Sequence, residues 1–348
     1  GYISSFNIIN DEYVEYFDES VEFRVHSDFV NDNLTGFYNI EFSISSGESG
    51  GISNPSYLRK LDDFKKWFEK QPHVVHVRSY SEVTTRLNKS MHGDDESFLK
   101  IPETREEAAQ YLLLYELSLP FGLDLNNQIN VDKSETRFTA ILENTSSREI
   151  IKLSNEAEKW LKNNSENHMH AIAAGIPLMF ANLGFRQANA MFKGNILALL
   201  IISFILVIAL RSLRLGLLSI IPNVTPILVG FGFWAIYKGT INVGMVVVFG
   251  MTMGIIVDDT VHFMSKFLRA KREYGYNTKK AVIYSFETVG RALVITTVVL
   301  LIGFGILATS AFAINSHMAR ITLVIILSAL IIDFILLPSL LILISKEK

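Results

Sequence analysis

Cysteine is absent from all 348 residues. That absence excludes thiol nucleophiles, iron–sulfur clusters and thiolate-held zinc, and it suits an oxidising compartment in which no disulfide is wanted. Long apolar runs are missing from residues 1–190, and acidic residues are scarce beyond them. Residues 1–190 carry 29 acidic and 18 basic side chains, a net charge of −11, whereas 191–348 carry 6 acidic and 14 basic ones, a net of +8. Hydrophobic residues make up 49% of the chain and are concentrated in its second part. This combination excludes a wholly soluble globular protein, a disordered chain and a small disulfide scaffold. The acidic first part lacks the basic face that phosphate backbones require, so no nucleic-acid partner is expected.

A membrane-spanning helix needs about 20 mostly apolar residues. Five segments qualify, at 193–210, 215–237, 241–265, 292–313 and 319–344. Arg211, Arg214, Lys266, Arg269, Lys271, Arg272, Lys279, Lys280, Lys346 and Lys348 fall in the first loop, the third loop and the tail, while Lys193, Lys238 and Arg320 fall on the opposite side. The excess of positive charge places the first group in the cytoplasm and residues 1–190 outside it. An exported first domain needs a targeting signal, yet the chain opens at Gly1 without Met, a basic stretch or an apolar stretch. A preceding membrane helix, in a longer protein of which this is the C-terminal piece, is therefore expected.

The external domain reads as α+β. Residues 37–46 alternate as a strand, 56–71 set Leu58, Leu61, Phe64, Trp67 and Phe68 at helical spacing, and 73–80 alternate again, a β-α-β unit. A second such unit is expected from a strand at 135–143, a helix at 147–163 and a strand at 168–173. Lys66-Trp67-Phe68 and Lys159-Trp160-Leu161 correspond at a shift of 93 residues, which supports an internal repeat. Helices are also expected at 82–91 and 103–118. The segment 103–125, with Leu112, Leu113, Leu114, Leu117, Leu119 and Phe121, is a candidate lining for an apolar cleft between the two units. Gly47-Glu48-Ser49-Gly50-Gly51 matches the G-x-S-x-G pattern, but a nucleophile elbow needs a helix at the turn and Ile52 to Pro55 intervene, so a plain turn is preferred. His168 and His170 would share one face of a strand without a third ligand, so neither a metal nor an enzymatic site is expected.

The third span carries the chemistry. Gly250, Gly254 and Asp258 recur every fourth residue on one face, where glycines would let a neighbouring helix approach closely. Asp258 and Asp259 lie about 10 Å inside the basic boundary at Lys266, at 1.5 Å per residue. Acids at that depth are costly and mark ion or proton pathways. Adjacent carboxylates in an apolar medium resist ionising together, so reversible protonation of at least one is expected. Thr296 and Thr297 reach a similar depth on the fourth span, where either hydroxyl could bond an aspartate; Asp333 is a third intramembrane acid, with a structural hydrogen-bonding role as the alternative, and His262 lies one turn beyond Asp258, with an ordinary interfacial position as the alternative, as a place near the cytoplasmic interface is for Asp258 and Asp259. These six residues form the candidate proton relay.

The order of an external β-α-β pair followed by five spans, with Gly254-x-x-x-Asp258 on the third, resembles the C-terminal half of a resistance-nodulation-division (RND) superfamily transporter. Supporting stretches are Pro222-Asn223-x-x-Pro226, Gly290-Arg291-Ala292 with Thr296 and Gly303-Phe304, and Asp333 with Leu337-Pro338. The wording Val257-Asp258-Asp259-Thr260-x-His262 is most similar to the hydrophobe/amphiphile exporter branch, which also resembles the mycobacterial large membrane proteins. The resemblance implies a complete protein of twelve spans in two pseudo-symmetric halves, a periplasmic porter domain, proton flow through intramembrane acids, and lipid or other hydrophobic cargo in a bacterial inner membrane. It implies no cofactor beyond the coupling proton, with the N-terminal half as the closest partner and self-assembly or a periplasmic partner left open. Thr296, five residues after Arg291, resembles the relay threonine of multidrug pumps, whereas the lysine those pumps usually carry on the third span is replaced here by acids. A non-transporting relative that senses lipid or sterol, or assists protein translocation, is the alternative. An intramembrane aspartyl protease is disfavoured because the Gly-x-Gly-Asp signature is missing.

Overall fold

A computed structural model describes residues 8–9, 13–120 and 124–344; Phe121 of the expected cleft lining lies outside them. The chain divides into two compact units, one of residues 22–183 and one of residues 1–21 with 184–348.

Within the helical unit, the short strand β1 (Ile8–Ile9) precedes a 3-10 turn at Tyr13–Tyr16. The α+β unit opens with α1 (Glu22–Asn33), β2 (Tyr38–Ser45), α2 (Pro55–Phe68), β3 (Val74–Arg78) and α3 (Tyr80–Met91). It continues through α4 (Arg105–Ser118), β4 (Glu135–Leu142) and α5 (Ser147–Asn164). Helix starts follow local chemistry: Asn54, Thr104 and Ser146 cap α2, α4 and α5 by accepting from backbone N–H groups, and Pro55 occupies the first turn of α2, where no donor is needed. The sheet order is β2-β4-β3, with β4 antiparallel to both neighbours, so β2 and β3 run parallel with β4 between them.

Alternation puts Tyr38, Ile40, Phe42 and Ile44 of β2 and Phe138 of β4 into one core against α2 and α5. Phe64 stands 5.5 Å from Phe42 and 4.6 Å from Phe138, and stacks on Trp160 at 5.1 Å. Trp67 and Trp160, the paired positions of the repeat, meet with ring centroids 6.1 Å apart. The second unit departs from expectation at its end: 168–173 forms a 3-10 turn at Asn167–Met169 and then a single bridge between Glu41 and Ala174, not a strand. His168 and His170 thus do not share a strand face. The Gly-rich stretch is a turn, with Gly47 at φ 83° and Gly50 at φ 67°, and the Ser49 hydroxyl donates to the Asp132 carbonyl.

α6 (Ile176–Ala209), α7 (Leu213–Leu218), α8 (Ile220–Tyr237), β5 (Thr240–Ile241), α9 (Val243–Arg272), α10 (Thr278–Ser285), α11 (Arg291–Leu307) and α12 (Ala313–Ile344) follow. Among the described residues, five helical stretches are long and apolar enough to cross a membrane: Ile176–Ala209, Leu213–Tyr237, Gly244–Arg272, Thr278–Leu307 and Ala313–Ile344. The fourth joins α10 to α11 through a π turn at Phe286–Gly290, so Lys279 and Lys280 lie on a helix rather than in the loop. β1 pairs in parallel with β5, and Phe17 bridges Phe312, so these two contacts reach two of the interhelical loops. α12 packs against α8, α9 and α11. Gly230 makes room for that packing, because a Cβ there would fall inside the Ile325 side chain.

Candidate functional site

Asn242 caps α9 by accepting from the Met245 N–H, and the helix then runs unbroken past the paired acids. Successive helical residues point about 100° apart. Asp258, Asp259 and Thr260 therefore face three directions: Asp258 is exposed, Asp259 is half-buried, and Thr260 is fully buried. Thr252, Met253, Ile256, Thr260, Phe263, Met264 and Phe267 form the buried stripe of α9, in which Thr252 and Thr260 are the polar members. The Thr260 hydroxyl donates to Asp333 Oδ1 on α12 at 3.3 Å.

Asp333 is only 1% exposed, and its Oδ2 has no hydrogen-bond partner among the described residues. The same holds for Oδ1 of Asn223, buried on α8. α8 and α12 run antiparallel, with Trp234 beside His317 and Gly230 against Ile325. That register brings Asn223 to about the level of Asp333. Both are polar side chains enclosed among the helices, on α8 and on α12.

The remaining predicted residues take separate positions. His262 Nε2 lies 3.4 Å from Asp258 Oδ1, one turn along the same exposed face. Thr296 is exposed, and its hydroxyl donates to the Ala292 and Leu293 carbonyls instead of a carboxylate. Thr297 is buried. The hydroxyl that bonds an aspartate belongs to Thr260, which composition alone does not single out, although a threonine within an apolar stripe of period 3–4 was a readable signal. The glycine seam also differs from expectation. A Cβ on Gly250 would press on Asn195 of α6, but nothing described lies within 4 Å of one on Gly254. Within this chain Gly254 and Asp258 therefore share an uncovered face of α9. No group of three or more His, Asp or Glu side chains among the described residues is arranged to hold a metal ion.

Residues 128–348 match the profile of the MMPL family. A solved structure titled as the X-ray crystal structure of a heavy metal efflux pump superposes with a TM-score of 0.55 at 15% identity, over 89% of this chain and 35% of that one. At that identity the likeness concerns the fold, and the chain spans about a third of the pump's length. No curated protein matches the sequence. The five spans, the acids of α9 and α12 and a profile match over more than half of the residues lead to one conclusion: the chain belongs to the MMPL family.

Proposed function

We propose that this chain is the C-terminal half of a proton-driven RND-type exporter that moves lipids or other hydrophobic and amphiphilic molecules out of a bacterial inner membrane. Residues 1–190 then face the periplasm, and the chain works as a transporter with protons as its coupling ion rather than as an enzyme. The observation that carries the reading is the hydrogen bond from Thr260 to Asp333, next along the helix from Asp258 and Asp259. It ties the span that bears the paired acids to the buried acid of α12.

In this mechanism Asp258 and Asp259 take up a proton, and Asp258 does so on the uncovered face beside Gly254. Loss of charge removes the penalty of a bare carboxylate in an apolar setting and lets α9 shift against α12. Thr260 follows α9 and alters the donor seen by Asp333. His262, within reach of Asp258, passes protons to the cytoplasmic side. Substitution of both adjacent acids, Asp258→Asn with Asp259→Asn, in the complete protein is expected to abolish export while leaving protein level and membrane insertion unchanged. Cargo accumulation in cells, scored beside protein level, tests this, and full export by the double variant would refute the relay.

A further inference from the structure

The α+β unit contains a cleft that the proton relay does not use. It measures about 480 Å³ and lies where β3 turns into α3, with α4 alongside. Volumes of this order hold small ligands. His76 and Arg78 alternate out of β3 on the sheet face away from the aromatic core, since Val77 between them is buried. Across from them, α3 contributes a single stripe at helical spacing that includes Glu82, Val83, Arg86 and Leu87.

The chemistry of the lining is one-sided. Glu82 is its acid, and two cations already face that carboxylate, Arg86 at 2.6 Å and Lys65 at 3.6 Å. Arg78 makes no ion pair or hydrogen bond among the described residues, and neither does the Tyr115 hydroxyl on the opposite wall. Arg86 spends one terminal nitrogen on Glu82 and keeps its other donors. An unpaired guanidinium fork, a phenol donor and a second arginine thus converge on one cavity of an otherwise acidic domain. Val83 and Leu87 add an apolar wall beside them. A planar fork of donors matches the oxygens of phosphate and phosphate esters better than a point charge does.

We infer that this cleft binds a phosphate-type oxyanion, with Arg78 as the principal ligand, Arg86 and Tyr115 as supporting donors, and the Val83–Leu87 wall against an apolar portion of the ligand. The assignment deepens the transport reading by naming the headgroup chemistry of an amphiphilic cargo. Its test is equilibrium binding without a proton gradient, so either reading can fail while the other stands.

The experiment uses the whole chain in a non-ionic detergent at low salt, titrated with dihexanoyl phosphatidic acid, dihexanoyl phosphatidylcholine and inorganic phosphate. Saturable binding of the phosphatidic acid is expected, weakened roughly tenfold by Arg78→Gln, as loss of a charge-assisted pair predicts. Arg78→Lys should fall between that variant and the wild type. Arg148→Gln, which removes an equal charge elsewhere on the same unit, should leave affinity unchanged. Unaltered melting temperatures keep these comparisons free of unfolding. Inorganic phosphate bound as tightly as the phosphatidic acid supports the oxyanion site and assigns the ligand to a free anion; weaker binding of inorganic phosphate supports it and assigns a lipid headgroup. Absence of saturable binding of all three ligands, or indifference to both Arg78→Gln and Arg86→Gln, overturns the inference.

Discussion

Thr260 gives one hydroxyl to Asp333 Oδ1, while Oδ2 of the same carboxyl has no partner among the described residues. Thr260→Val keeps the shape and removes the donor. It should destabilise the helical unit by about 0.6–2 kcal/mol, the range of polar contacts within membranes, and should impair export more than Thr260→Ser, which keeps the hydroxyl. Melting in detergent together with an export assay decides this; equal behaviour of the two variants removes Thr260 from the mechanism. The acids on α9 were legible because charge inside an apolar run is conspicuous in one dimension. Asn223 stood out in sequence only as part of Pro222-Asn223-x-x-Pro226, because its burial among the helices depends on α12, over a hundred residues later, lying alongside α8.

A second residue-scale outcome concerns the α+β core. The Tyr57 hydroxyl lies 2.6 Å from Thr136 Oγ1 and donates to the Ile44 carbonyl at 2.9 Å. Burial raises the Tyr57 phenol well above the ordinary tyrosine value, and does the same at Tyr80. A raised folded-state value means that the unfolded chain loses its phenolic proton first as the pH climbs. The stability contributed is therefore complete below about pH 10, the usual phenol value, and is lost above it. Alkaline unfolding followed by aromatic fluorescence should move to higher pH in Tyr57→Phe, while the same variant loses stability at neutral pH through the missing hydrogen bonds. An unchanged alkaline midpoint would show that this phenol does not govern the transition.

Among the elements, α9 shows why helix pattern and helix packing are different information. The repeat of Gly250, Gly254 and Asp258 places three residues on one side of a helix, but whether a neighbour covers that face is a tertiary fact. Asn195 meets the face at Gly250, and it is open at Gly254. Gly254→Leu in this chain should therefore leave the melting temperature unchanged or raised, since leucine is the better helix former. Gly230→Leu should cost about 1–3 kcal/mol by overpacking against Ile325. The reverse order would show that the helices pack differently. If Gly254→Leu keeps its stability but loses export in the complete protein, a partner outside this chain covers that face.

Element boundaries were read less well than element types. Hydropathy located the apolar centres of the five spans, whereas the helices continue into polar sequence, as α6 does through Asn182, Arg186 and Asn189. Likewise, α9 carries Arg269, Lys271 and Arg272 in its last turn, where positive charge suits the helix end. The strand expected over 168–173 failed because alternation in a short segment does not create a sheet edge to pair with. Only Ala174 reaches Glu41.

On the scale of the whole molecule, two units of opposite charge character carry two kinds of chemistry. The α+β unit owes its core to the aromatic residues of β2, β4 and α2, which alternation and helical spacing announced in advance. The helical unit sets Asp258 and Asp259 on α9 and Asp333 on α12. In the proposed mechanism these carboxylates carry the coupling proton. Its most direct test is cargo-dependent proton movement in proteoliposomes containing the complete protein and a trapped pH-sensitive dye. Wild-type protein should move protons when cargo and a pH gradient are both present, and both the Asp258→Asn, Asp259→Asn double variant and Asp333→Asn should not. Undiminished proton movement in the double variant would contradict the account.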